Sequence, residues 1–397
     1  MRPAPEPGLQ RLEQLTAVRF FAAYAVLLCH YAGVLGLPEQ TRFLTNFMGS
    51  AVALFFVLSG FVLSYTYERA FSSGRPGVLW SYVAARVARV LPVYWSCLAA
   101  LLGLYLVFGF GLSLGNQPDY DHKGFSFAMN AFALQAWVPD WLVQQYWNAP
   151  GWSISSEFFF YACFPLLLRW RALDGSREIF GALWLAMALA LLGYVLAVRL
   201  IFGAQAAVWG EGAVLLAYPI RLPLMGMFCF ALGIHLARAN GRFQAAPVSS
   251  TAIAAAAAAV LGVAWLVHWQ EGQHGLGLYV GMCAIYLVYT PFFYLLLAWL
   301  LRPDVAGALS NRVLILLGNA SYALYLLHWL PLTLLVQGPA PFSRSVAWAW
   351  VTALSLPPLA IAVYLFFEDP ARRAIRRWAG DRLSLAGAGT KSASRLN

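Results

Sequence analysis

Residues 15–35 read LTAVRFFAAYAVLLCHYAGVL, an apolar run broken by one full charge, Arg19, and one histidine, His30. A bilayer core of about 30 Å takes roughly 20 helical residues, so this stretch is long enough to span it. Ionisable side chains within such a stretch are costly and face a protein interior or a wet cavity, which makes both residues functional candidates. Their spacing adds geometry. Eleven steps of about 100° bring the two side chains to nearly one helix face, roughly 16 Å apart along the axis. A long ligand held at one end by Arg19 and worked on at the other by His30 fits that arrangement. Two simpler readings stand beside it: Arg19 snorkelling to the head groups, and His30 as a core histidine bonded to a neighbouring helix. A neutral imidazole is the form a general base needs.

The rest of the chain has the same character. Of its 397 residues 61% are hydrophobic and only 11% charged, with mean hydropathy +0.67; soluble domains carry about 25% charged residues. The fold class expected is all-α, a polytopic membrane helical bundle of about ten transmembrane helices, at 15–35, 50–68, 86–110, 152–170, 178–202, 213–237, 249–269, 277–301, 312–337 and 346–368. Runs such as Leu183–Leu200 do not alternate, which excludes a β-barrel. Residues 12–378 form the transmembrane domain, flanked by disordered tails at 1–11 and 379–397, the second one basic. The first run lacks a small-residue cleavage pattern and is expected to be retained.

Basic residues set the orientation. With both termini cytoplasmic, 20 of the 26 Lys and Arg fall on the inner side, while the outer loops hold Arg42, Lys123 and Arg344. The net charge of +10 therefore calls for membrane lipids as partners and no nucleic acid. The run Arg372–Arg377 is expected at the lipid surface. The outer stretch Gly111–Pro150 is either a re-entrant cap over a cavity or an aromatic belt. The five cysteines lie in apolar runs without metal-ligand spacing and read as small hydrophobes, so no metal is expected. No Walker A loop, His-Glu-x-x-His motif or His-x₄-Asp motif occurs.

Several polar constellations interrupt the apolar spans. Arg86 and Arg89 share a face at the inner end of the third span, ahead of Pro92, and form either a phosphate clamp or an ordinary basic flank. Ser153, Glu157 and Tyr161 recur every four positions and make one polar stripe, with Glu157 expected near the depth of His30. Ser321, Tyr325 and His328 share a face of the ninth span. Ser59-Gly60 allows close approach of a ligand or, the reading favoured, of another helix. Glu368-Asp369-Pro370 is expected to end the last span and pair with arginine.

In order along the chain, these elements resemble the acyltransferase-3 family of integral membrane O-acyltransferases. The resemblance rests on Leu15-Thr16-Ala17-Val18-Arg19 with His30, Leu54-Phe55-Phe56-Val57-Leu58-Ser59-Gly60-Phe61, Arg86-x-x-Arg89 with Pro92-Val93-Tyr94, Trp152-Ser153-Ile154-Ser155-Ser156-Glu157 with Tyr161, Ser321 through His328, and Glu368-Asp369-Pro370. The opening departs from the family's commoner Leu-Asp-Gly-Leu-Arg.

The resemblance implies a multi-pass enzyme of the bacterial inner membrane with no permanently bound cofactor. It implies an acyl-CoA donor, usually acetyl-CoA, entering from the cytoplasm. The implied acceptor is a hydroxyl on a glycan, a lipid-linked saccharide or a secondary metabolite. Arg19, Arg86 and Arg89 would hold the donor phosphates, with Ser59 and Gly60 lining its path. His30 would act as general base, with His328 as a second imidazole. Glu157 would orient an imidazole or bind a sugar hydroxyl, and Tyr161 or Tyr325 would stabilise the oxyanion. Two competing classes use the same polar core: a transporter or flippase for a glycolipid or small metabolite, and a module carrying acyl groups across the membrane for another enzyme. Transporters often show repeated halves, and no such symmetry is visible here.

Overall fold

A computed structural model describes residues 12–74, 76–109, 121–169, 173, 175–202, 220–245, 247–273, 281, 283–338 and 345–380. Among these residues every regular element is helical. In chain order they are α1 (Glu13–Tyr31), α2 (Arg42–Gly49), α3 (Ala51–Ser72), α4 (Val78–Phe108), α5 (Lys123–Ala131), α6 (Trp141–Gln145), α7 (Trp152–Arg169), α8 (Arg177–Phe202), α9 (Pro223–Ala245), α10 (Ser250–Gln273), α11 (Thr290–Leu300), α12 (Pro303–Leu309), α13 (Arg312–Leu327), α14 (Trp329–Gln337) and α15 (Val346–Val363). The tails at 1–11 and 381–397 and the start of the expected span 213–237 lie outside the described residues.

Six stretches are long and apolar enough to cross a membrane: Glu39–Ser72, Val78–Phe108, Arg177–Ala197, Ser250–Trp269, Arg312–Gln337 and Val346–Gly380. Ile285–Leu300 with Pro303–Leu309, bent by 93°, makes a seventh if the pair is one span. This is an integral membrane protein. The remaining three of the ten expected spans correspond to α1, α7 and α9. These carry Arg19 and His30, Ser153 to Glu157, and His235 with Arg238, and that polarity lowers their mean hydropathy. Burial follows the same division. The span of α8 is 11% buried and that of α10 17%, whereas the span of α3 is 61% buried at the centre of the bundle.

Two close crossings set the interior. A Cβ on Gly60 would overlap the Phe230 carbonyl, and one on Gly233 the Val57 carbonyl, so α3 and α9 pack backbone to backbone. A Cβ on Gly318 would likewise overlap the Thr16 carbonyl, which brings α13 alongside α1. Away from the cavity, Arg238 locks α9 to α3 by donating to Glu68 (2.8 Å) and to the carbonyls of Leu168 and Leu173.

Prolines act through the carbonyls they leave without donors. A π-turn at Ile285–Tyr289 precedes Pro291, and the carbonyl of Leu287 accepts from the indole of Trp184 instead (3.1 Å). The expected span 312–337 breaks at His328, three residues before Pro331. Side chains patch that break: Tyr31 donates to the His328 carbonyl (2.9 Å) and Asn148 to that of Leu326 (3.4 Å). Pro370, by contrast, does not end the last span. A π-turn at Tyr364–Glu368 absorbs it and the helix continues to Gly380. The expectation that Glu368-Asp369-Pro370 terminates the helix is therefore overturned.

Of the stretch 111–150, residues 121–150 are described, and they fold into short helical turns packed against α4, α7 and α13. Ser126, Asn130, Gln135, Gln144 and Asn148 are all buried. Ser126 and Asn130 donate to the Val143 carbonyl (3.0 and 3.1 Å), and the Tyr94 hydroxyl donates to the Asn130 carbonyl (2.6 Å). The Tyr94 bond ties this segment to α4, the Ser155 hydroxyl, accepting from the Ala136 N–H (3.4 Å), ties it to α7, and Asn148 ties it to α13.

Candidate active site

The ion-bearing faces of α1, α3, α4, α7, α13 and the extension of α15 enclose one cavity of about 260 Å³. Arg19, Arg86 and Arg89 line it together with Glu157 and Tyr161. The spacing of Arg86 and Arg89 on α4 turns both guanidiniums inward. Arg86 lies over the rings of Tyr67 and Tyr161 (5.6 and 5.8 Å), and Arg89 over that of Tyr322 (5.3 Å). Aromatic faces hold a guanidinium by cation–π attraction without neutralising it, leaving its N–H groups for an anion. The Nε of Arg86 is buried without a hydrogen-bond partner. Arg89 is ion-paired to Glu368, itself 1% exposed.

Glu157 accepts from the Tyr161 hydroxyl (2.7 Å), and its charge acts on Arg86, Arg89 and Arg19. The depth expected for Glu157 would put it beside His30; the structure groups it with the arginines instead. Ser59 lines the cavity and Gly60 does not. Gly60 faces Phe230 and Gly233, where it serves helix packing, which corrects its assignment to the donor path.

His30 and His328 meet at a separate point. Helices α1 and α13 run side by side, and the two rings meet edge to edge, with centroids 5.1 Å apart and planes 17° from parallel. His30 Nδ1 lies 2.9 Å from His328 Nε2, and His328 Nδ1 lies 3.3 Å from the Leu324 carbonyl. A carbonyl only accepts, so His328 Nδ1 carries its hydrogen, and the Nε2 of the neutral ring is an acceptor. His30 Nδ1 must then be the donor, and the lone pair of His30 remains on Nε2. These tautomers follow from the hydrogen-bond network. The Trp329 ring closes one side, edge-on to His30 at 5.4 Å.

Tyr325 joins the two regions. It lines the cavity, and its ring centroid is 6.0 Å from that of His328. Its hydroxyl lies 2.8 Å from the Ser153 hydroxyl and donates to the Pro150 carbonyl (3.1 Å). Phe55 packs edge-on against it at 5.8 Å. Neither His30 nor His328 lines the cavity, which ends one ring short of the imidazoles.

Sequence reasoning missed three cations of this region. Arg372 and Arg376, expected at the lipid surface, line the cavity. Their i, i+4 spacing was the available signal, hidden by the assumption that the helix stops at Pro370. Arg221, at the start of the segment leading into α9, lies 6.0 Å from the Trp152 ring, and its charge acts on both His30 and Tyr325.

A family model described as an acyltransferase domain, Acyl_transf_3, matches residues 12–367, which takes in the imidazole pair and all of the cavity lining except Arg372 and Arg376. The chain belongs to this acyltransferase family. It is also similar to "Acyltransferase MdmB" of Streptomyces mycarofaciens, 29% identical over 396 residues and covering 94% of each chain. No solved structure matches. The protein is thus an acyltransferase enzyme, and the resemblance read from its motifs holds along nearly its full length.

Proposed function

We propose that this acyltransferase moves an acyl group, acetyl foremost, from acyl-CoA to a hydroxyl of a glycan, a lipid-linked saccharide or a secondary metabolite. We further infer ten membrane spans with both termini cytoplasmic and a place in the bacterial inner membrane. The basic residues of the inner loops support that orientation. The single observation that carries the chemistry is the hydrogen-bonded pair His30–His328, which leaves a lone pair on His30 Nε2 next to the arginine-lined cavity.

In this reading the donor enters with its phosphates among Arg19, Arg86 and Arg89 and its thioester toward Tyr325. A guanidinium fork matches phosphate oxygens two at a time. The α1 helix is continuous from Glu13 to Tyr31, so the rise of roughly 16 Å from Arg19 to His30 applies. The Tyr325 ring must swing aside for the thioester to reach the imidazole, with Phe55 as its neighbour.

His30 Nε2 takes the proton of the acceptor hydroxyl as its oxygen attacks the thioester carbonyl carbon. The tetrahedral intermediate collapses with cleavage of the C–S bond, and His30 returns the proton to the departing thiolate. His328 orients His30 and, through its own bond to the Leu324 carbonyl, polarises the His30 Nδ1–H. The displaced Tyr325 hydroxyl and Arg221 are the groups available to stabilise the oxyanion. Glu157 and Tyr161 serve the donor end by fixing the guanidiniums in place.

Purified protein incubated with isotope-labelled acyl-CoAs and a panel of hydroxyl acceptors tests this. A product heavier by one acyl unit, formed with release of free CoA, supports transfer. Movement of a glycolipid or metabolite with no change of mass would support the transport reading and end this one.

A further inference from the structure

The last helix does not stop at Pro370. It runs on through a π-turn at Tyr364–Glu368 to Gly380 and carries four arginines, at 372, 373, 376 and 377. These divide into two faces. Arg372 and Arg376, one turn apart, line the cavity; Arg373 and Arg377 are exposed and do not. A basic flank serving only lipid head groups needs no such division.

The extension is also docked along its length. Glu368 is paired with Arg89 on α4, and Asp369 with Arg372 and Arg373. Further on, the Trp378 ring lies 6.5 Å from that of Trp80 at the start of α4, and the Trp80 indole donates to the Ala379 carbonyl (3.4 Å). The two fastenings bracket Arg372 and Arg376. Because Arg376 is exposed while lining the cavity, it marks the mouth. Among the described residues no carboxylate is ion-paired to it. The cavity lining as a whole holds five guanidiniums and one carboxylate, Glu157.

Resting on the donor reading above, we propose that Arg372 and Arg376 form a second phosphate site at the cavity mouth. It reads the ribose 3′-phosphate of the donor's nucleotide while Arg19, Arg86 and Arg89 take the diphosphate inside. A coenzyme A thioester carries phosphate at two places, and the cavity draws its cations from two sets of elements, α1 and α4 for Arg19, Arg86 and Arg89 and the extension of the last helix for Arg372 and Arg376. The site thereby selects a nucleotide-tailed thioester over one that ends in pantetheine or lacks the 3′-phosphate. Asp369 positions Arg372 without neutralising the pair, since it is shared with Arg373.

The test uses the full chain in nanodiscs of neutral phosphatidylcholine and compares acetyl-CoA with acetyl-3′-dephospho-CoA. For the unmodified protein, loss of the 3′-phosphate is expected to raise KM about tenfold and leave kcat unchanged. In R372Q/R376Q the KM for acetyl-CoA rises to the dephospho value, and the difference between the two donors disappears. R377Q keeps the original difference. Competition by 3′,5′-ADP, which needs no turnover, follows the same order, while competition by 5′-ADP, which lacks the 3′-phosphate, stays unchanged in all variants and shows that the double variant is folded. If R372Q/R376Q retains the tenfold preference, the 3′-phosphate is read elsewhere and the proposal fails. It fails equally if R377Q loses the preference, since bulk charge then suffices. If the unmodified protein discriminates only after anionic lipid is added, the arginines answer to head-group phosphate and the proposal is again wrong. Failure of the unmodified protein to use or bind either donor overturns the donor reading itself.

Discussion

The arginine-lined cavity and the imidazole pair are served by the same helices, α1 and α13, yet they are built on opposite principles. In the cavity, guanidiniums stand over aromatic faces or opposite buried carboxylates, with charge left over for a ligand. At the pair, two nearly coplanar rings meet edge to edge through one hydrogen bond and an indole shuts one side, with the charge of Arg221 acting on His30. Anions are held where charge is dense and the surface is within reach. A base works where water and stray protons are kept out. On the donor reading proposed above, the polyanion is held by the arginines of the cavity and the base stands outside the cavity lining. Tyr325 is the boundary, touching both regions.

That contrast predicts a division of kinetic effects. The largest belongs to the base: His30→Ala should lower kcat by about 10²- to 10⁴-fold. Binding of acetyl-CoA should stay within a factor of two by calorimetry. Undiminished turnover would remove His30 from the chemistry. Next, Arg19→Ala should raise KM for the donor about ten- to a hundredfold with little change in kcat. Arg19→Lys should recover only part of the loss, because an ammonium is a point charge and not a fork. A variant at Arg19 that alters kcat alone would erase the distinction between the regions.

A smaller effect is expected at His328→Gln, about tenfold in kcat with KM unchanged, because the imidazole that orients His30 is replaced by an amide. The smallest lies outside both regions. Gly60→Ala should cost about 1–3 kcal/mol of stability, since a Cβ meets the Phe230 backbone. It is read as lower folded yield and melting temperature, with the KM of the remaining folded enzyme unchanged. A selective rise in KM would put Gly60 back on the donor path.

The sequence exposes the parts of this site that are expensive in lipid. Arg19, His30 and Glu157 stand out because each ionisable group interrupts an apolar run. The meeting of His30 with His328 needs the close passage of α1 past Gly318, and no periodicity reports contact between helices nearly 300 residues apart. The helix of Glu157 lies where the sequence puts it, at Trp152–Arg169, but which neighbours face Glu157 depends on how that helix packs against α1 and α4, and periodicity does not report that. Pro370 misled for a different reason. Proline is read as a stop, but a π-turn accommodates it, so Arg372 and Arg376 remain helical and face the cavity. Arg19 and His30 on α1 and Ser153 and Glu157 on α7 lower the mean hydropathy of their helices, and all four belong to the cavity or the imidazole pair.

The central claim is that one donor molecule spans both regions, with its phosphates among the arginines and its thioester at His30. A structure of the full chain with an unreactive thioether analogue of acetyl-CoA tests it most directly. The account predicts diphosphate density between Arg19, Arg86 and Arg89, the Tyr325 ring displaced, and the analogue's carbonyl carbon close enough to His30 Nε2 for a hydroxyl to fit between them. Phosphates bound away from those arginines would contradict it, as would a carbonyl still screened from the imidazole by an unmoved Tyr325.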